Sequence, residues 1–238
     1  MISLGSFVSQ DRPCSYLPNR AARMQYELVA QLSAAEYSRL MLAGWRRFGK
    51  SLFRPICVGC NECKALRVDV KRFRANQSQK RCRKANKDDV KLVIGTPEVT
   101  AEKLALYDRY HAFQIQAKGW ADRGPEAEAN YVDAFVDQPF AVQEWCYRLA
   151  GELVGVGYVD DVPAGLSAIY FFHAPEHRDR GLGTFNVLSI IDRAADRGDD
   201  FAYLGYYVED CGSLVYKANF RPNQIRNDDD TWSVLRAD

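Results

Sequence analysis

Three cysteines stand at C-x-x-C-x-x-C spacing in CVGCNEC, as Cys57, Cys60 and Cys63, and Cys14 offers a fourth thiol upstream. Thiolates so spaced can converge on one ion, and four of them suit zinc or an iron–sulfur cluster. A packed thiol cluster that binds nothing fits the same spacing, because no second C-x-x-C pair follows. A second stretch, Arg178-Asp-Arg-Gly181-Leu-Gly183, places glycines where a turn opens into a helix. Glycines there let the backbone approach a ligand, and the free N–H groups of the helix suit a phosphate or pyrophosphate. A third, RFRANQSQKRCRKANKDD (72–89), carries Arg81, Arg83 and Lys84 among the amides of Gln77, Gln79 and Asn86. Guanidinium forks bind carboxylate or phosphate in two-point fashion. Only Phe73 lies in it, so it is no stacking platform for single strands, and a solvated basic helix has the same composition. His111, His173 and His177 form no metal spacing, and neither GxSxG nor HExxH occurs. Hydrolase chemistry is not expected.

The charge is segregated. Net charge is +1. Yet Lys64 to Lys91 holds eleven Lys/Arg against three Asp, and Gly119 to Pro163 holds two Arg against nine Asp/Glu. One polyanion-facing surface on an otherwise balanced protein gives that pattern, as does a plain solvated face. With 238 residues, 47% hydrophobic and 26% charged, the chain is an ordinary globular one of one large or two small domains. The uncharged run Val162 to Pro175 is too short for a bilayer span of about 20 residues. The opening MISLGSFVSQDRPC has neither a basic nor a sustained apolar signal region. A cytoplasmic location, with reduced thiols, is the expectation.

Periodicity supplies the elements that must hold these residues. Met24, Leu28, Val29 and Leu32 predict a short helix over 20–32. Ser33 and Glu36 form a capping box for a second helix, with apolar positions through Trp45 and Phe48 and Gly49 as its stop. LRVDVKRF (66–73) alternates as a strand, and a helix runs from the N-cap Thr100 to Lys118 before Gly119. Strands follow at 144–150, 153–159 and 165–172, then a helix to about Arg197 and a strand at 201–208. The fold class is α/β with a mixed sheet, divided near Gly95 into residues 1–95, a smaller basic cysteine-containing domain, and 96–238. The strand–turn–helix order around Arg178 to Gly183 resembles the N-acetyltransferase (GNAT) fold.

Together these pieces resemble the arginyl-tRNA–protein transferase family, in particular its bacterial aspartate/glutamate leucyltransferase branch. The resemblance runs through PCSYLPNRAARMQYELV (13–29), RPICVGCNECKALRVDVKRF (54–73), SQKRCRKAN (78–86), GLSAIYFF (165–172), the R-x-x-G-x-G turn and YLGYYVEDCGSLVYKANFRP (203–222). It departs at QIQAKGWADRG (114–124) and at Ser213-Leu214, where the family carries other residues.

The resemblance implies a GNAT-like transferase with a charged tRNA as donor. It moves an amino acid, Leu or Arg, onto the N-terminal Asp or Glu of a protein and marks that protein for degradation. Arg81 and Lys84, matching the family's S-Q-R-R-x-x-K stretch, are expected to meet the acceptor's carboxylate. Arg178, Gly181 and Gly183 would cradle an anion, and Tyr216 and Lys217 would meet the aminoacyl-tRNA end. Aminolysis of an activated ester is not demanding chemistry, so positioning supplies most of the rate and no cofactor is required. Tyr206, Tyr207 and Glu209, at the end of the last long strand, are the expected proton acceptor or orienting groups. Two other functions fit parts of the sequence: an acetyl-CoA-dependent N-acetyltransferase, and a non-catalytic metal- or redox-sensing RNA-binding protein.

Overall fold

The computed structural model describes residues 1–120, 124 and 127–235. The first half runs β1 (Ile2–Val8), β2 (Arg12–Pro13), β3 (Ala21–Ala22), β4 (Met24–Gln31), α1 (Ala34–Leu42), β5 (Arg46–Phe48), β6 (Ser51–Pro55), β7 (Lys64–Asp69), α2 (Gln77–Asn86) and β8 (Val90–Gly95). The second half runs α3 (Ala101–Lys118), α4 (Ala127–Tyr131), β9 (Val142–Leu149), β10 (Glu152–Val162), β11 (Gly165–His173), α5 (Leu182–Arg197), β12 (Phe201–Tyr207), β13 (Asn223–Arg226) and β14 (Trp232–Val234). Among the described residues no helix is long and apolar enough to cross a membrane.

Two sheets carry the chain. A small one has the order β1-β4-β6-β5, and a large one the order β14-β13-β7-β12-β11-β10-β9-β8. Within the large sheet β11 and β12 run parallel and meet at a single register pair, Ser167 with Tyr203. Past that pair their C-terminal halves do not bond to one another, which leaves an opening in mid-sheet. Parallel strands need a crossover, and α5 supplies it, with Leu182, Leu188, Ile190 and Ile191 buried. Trp145, Tyr147, Tyr158, Leu166 and Phe172 fill the main core. A smaller core joins Val29 and Leu52 of the small sheet and Tyr37 and Met41 of α1 to Val162 and Tyr203 of the large sheet.

Several expectations needed correction. Residues 24–31 are a strand, because pairing with β1 on one side and β6 on the other outweighs a four-apart apolar pattern. The helix from Ser33 has its capping box but ends at Ala43, and Arg46–Phe48 turns into strand β5. The large sheet draws strands from both sides of Gly95. β7 lies between β12 and β13, and β8 forms the far edge beside β9. The passage between sheets lies between Pro55 and Lys64, the segment that carries Cys57, Cys60 and Cys63.

The sheets are pinned by a buried ion pair. Arg47 donates to Asp160 of β10, both side chains fully buried, and also to Gly49 O at 2.9 Å and Gln138 Oε1 at 2.5 Å. Its guanidinium lies 4.5 Å from the Phe140 ring centroid. Breaking such a pair from one side strands a buried charge and costs about 3–5 kcal/mol. Asp160→Asn should therefore lower unfolding free energy by about that amount in a denaturant titration, with little change in slope. A loss below about 1 kcal/mol would mean that the pair does not hold the sheets.

Candidate active site

β12 is interrupted at Gly205, where φ is +78° and its register with β7 shifts. That conformation favours glycine, and the bulge makes room for a side chain from the small sheet. Arg46 fills the room: a Cβ on Gly205 would stand 3.5 Å from its Nε. From there its guanidinium spans to β11, donating to Ser167 Oγ at 2.8 Å and to Ala168 O. Arg46 thus lies across the opening between the parallel strands.

Lys217 reaches the same place from the other side. It sits on a 3-10 turn (215–219) after β12, half-buried, and its Nζ donates to Tyr206 O at 2.6 Å. Burial, helped by Arg46, pulls its pKa down to about 7. Tyr216 beside it is exposed and acts electrostatically on Tyr110 of α3.

The expected proton acceptors fare differently. Tyr206 donates its hydroxyl to Gly44 O at 2.7 Å, and burial raises its pKa strongly. It is a structural donor rather than a base. Tyr207 belongs to the main core, and Glu209 lies exposed past the strand end. The end of β12 does hold titratable chemistry, but the group is Lys217.

The glycine turn has the expected place. Gly181 takes φ +64° at the head of α5, no side chain caps that helix, and space is open around Gly183. Arg178 is exposed. α2 is clamped to this turn. Asn86 Nδ2 donates to Arg180 O at 2.8 Å, Arg180 donates to Ala85 O at 2.8 Å, and Cys82 Sγ touches Gly181 O at 3.4 Å. Arg83 is taken up by Asp192 of α5 at 2.7 Å. At its other end α2 reaches the Lys217 turn, where Gln79 Nε2 donates to Asn219 O at 3.1 Å. Arg81 and Lys84 point outward and are exposed. One helix therefore links the glycine turn, the basic surface and Lys217.

The cysteines line a cavity of about 300 Å³ beside the opening. Cys14, Cys57, Cys60 and Cys63 share it with Tyr16, Arg54, Lys64, Tyr206 and Arg226. Backbone N–H groups of Tyr16 and Arg23 point at Cys14 Sγ and Cys57 Sγ, each at 3.4 Å. Burial, reinforced by the neighbouring thiols, pushes the Cys63 thiol up to about 12. Among the described residues no group of three or more His, Cys, Asp or Glu stands where it could hold a metal ion. The four thiols share one cavity.

Sequence reasoning missed Arg46 and Ser167. The signal for the first was present, since a glycine inside FAYLGYYV marks a bulge and so a close approach. Of the departing stretch at 114–124, residues 121–123 lie outside the described residues.

Comparison with known proteins places the chain among sequence relatives of one family. The family described as "Arginine-tRNA-protein transferase, C terminus" matches residues 102–227, and "Arginine-tRNA-protein transferase, N terminus" matches 12–81. An aspartate/glutamate leucyltransferase of Campylobacter jejuni is 35% identical over 94% of this chain and 93% of its own. Those of Halorhodospira halophila and Helicobacter hepaticus are 35% and 32% identical, over 89% and 93% of this chain and 89% and 92% of theirs.

Lys217 makes stability depend on pH in a defined direction. Its folded pKa is near 7 and its unfolded one near 10.4, so between these values the unfolded state holds the extra proton. Stability from this group therefore rises as pH increases from 7 toward 10, and is absent below 7. Unfolding midpoints across pH 7–9 should rise more in the wild type than in Lys217→Met; parallel curves would contradict the assignment. The sequence matches lead to one identification: the chain belongs to the arginine-tRNA-protein transferase family, and it is an aminoacyltransferase.

Proposed function

We propose that the protein takes leucine from its charged tRNA and joins it to the free α-amino group of proteins that begin with Asp or Glu, marking them for proteolysis. The family supports tRNA as donor, and the relatives named as aspartate/glutamate leucyltransferases support leucine and the acidic acceptor. One structural observation carries the reading. A basic helix, α2, is laid on the glycine turn and reaches the Lys217 turn, so a polyanion held along its outer face has its end beside the opening. Arg81 and Lys84 stand on that outer face. Their exposure supports contact with tRNA phosphates rather than with a carboxylate in a lined pocket.

The deciding assay combines leucyl-tRNA, arginyl-tRNA or acetyl-CoA with peptides that begin with Asp, Glu or Ala. Ribonuclease-sensitive transfer of leucine to the Asp and Glu peptides is the expected result. Acetylation that survives ribonuclease would instead establish the N-acetyltransferase. The α2 surface has its own test. Replacing Arg81, Lys84 and Lys87 together by Ala should flatten the slope of log Kd for tRNA against log salt by about two to three, since each phosphate contact contributes nearly one. The preference for Asp over Ala peptides should survive. A lost preference with an unchanged slope would return Arg81 and Lys84 to the acceptor.

A further inference from the structure

Lys217 carries more than a contact to a substrate. The groups that face it come from each element packed around its turn. β5 presents the Arg46 guanidinium, and the loop after β12 presents the Cys211 thiol, whose Sγ lies 3.2 Å from Ser213 Oγ. β12 offers the main-chain carbonyl of Tyr206, which takes the Nζ hydrogen bond. α2 offers the neutral amide of Gln79, bonded to Asn219 O, and α3 offers Tyr110 opposite Tyr216. None of these groups is a carboxylate.

An ammonium in such a place has lost water and gained a cation as neighbour. Both disfavour the charge, so near neutral pH a large share of Lys217 is a free amine with a lone pair. Arg46 is held across the opening by Ser167 and Ala168, so the cation that adds to the effect of burial on Lys217 is fixed in the sheet. Tyr206 and Tyr207 are excluded from proton transfer by their own bonding and burial.

We propose that Lys217 is the proton-transfer residue of aminoacyl transfer, an inference that rests on the tRNA-dependent reading above. The acceptor's neutral α-amine attacks the ester carbonyl carbon, and a C–N bond forms. The proton in excess on that nitrogen passes to Nζ of Lys217. The bond from carbon to the ribose oxygen then breaks, and the Lys217 ammonium gives its proton to the leaving oxygen. The products are a peptide bond and a free tRNA hydroxyl, with no proton unaccounted for.

General acid–base catalysis of this kind contributes about 10²–10⁴-fold. Lys217→Ala should lose about that much kcat/KM in leucyl transfer to an Asp-starting peptide while remaining folded at the assay pH. Lys217→Arg keeps a cation that cannot give up its proton, and it should be as inactive as the alanine variant. Imidazoles and small tertiary amines, which leave no amide of their own, should restore peptide product in Lys217→Ala. The rescued rate should rise with the base's pKa, a dependence that a merely structural lysine would not produce. A Lys217→Arg variant within about threefold of wild type, or an alanine variant that no base rescues, overturns the assignment while leaving the function intact. A wild type that makes no product from leucyl-tRNA refutes the function, and the base with it.

Discussion

Two consecutive arginines on a three-residue strand join the parts of this molecule. Neighbouring side chains of a strand point to opposite faces, so Arg46 and Arg47 leave β5 in opposite directions. Arg47 enters the core to meet Asp160 of β10, and Arg46 crosses to Ser167 and Ala168 of β11. A buried guanidinium without acceptors is prohibitive, and both acceptors of Arg46 and the carboxylate that meets Arg47 belong to the large sheet. The small sheet is thereby fixed in one place. The cysteine cavity depends on that docking, because its walls come from residues 14–65 on one side and from Tyr206 and Arg226 on the other.

The opening between β11 and β12 follows from the same contacts. A parallel pair closed along its full length would leave no space for Arg46, and Gly205 in a left-handed conformation ends the regular ladder where that side chain lies. On the far side Gly157 leaves room for Asn186 of α5, which accepts from Tyr147 at 2.9 Å. Helix α5 can then sit close to the sheet with its uncapped N-terminus and Gly181 at the mouth of the opening. α2 bonds to this turn through backbone carbonyls at 180 and 181, which ties the basic surface to the rigid crossover helix rather than to a loop.

Legibility from sequence tracked how local each signal was. The capping box at Ser33, Thr100 with Gly119, and the strands from 144 onward are set by neighbours in the chain, and all were readable. β4 was not, because its conformation is decided by partners on β1 and β6 that its own apolar spacing does not reveal. β7 was recognised as a strand, but its place between β12 and β13 was not, since pairing across so long a separation leaves no local mark. The site divides in the same way. The glycine turn was singled out by its R-x-x-G-x-G pattern and Lys217 by the family resemblance. Lowering the pKa of Lys217 takes burial and an arginine 171 positions upstream, and neither is visible in the YK dipeptide.

Two acids of the acidic half of the charge map are committed within the core. Within the segment 119–163, Asp160 is committed to Arg47, and Glu144 accepts from Lys103 at 2.5 Å and from Tyr158 at 3.1 Å. Tyr158 in turn bonds to Tyr131 at 2.5 Å, so this network is closed within the core behind the sheet. These buried acids act as counter-charges of the scaffold. A carboxylate near Lys217 would have stabilised its ammonium and raised its pKa out of the useful range. It would also have repelled both an acidic acceptor and a tRNA end. The cations near the opening are of two kinds, an exposed set on α2 that can attract a polyanion and a fixed arginine that adds to burial in disfavouring charge on Lys217.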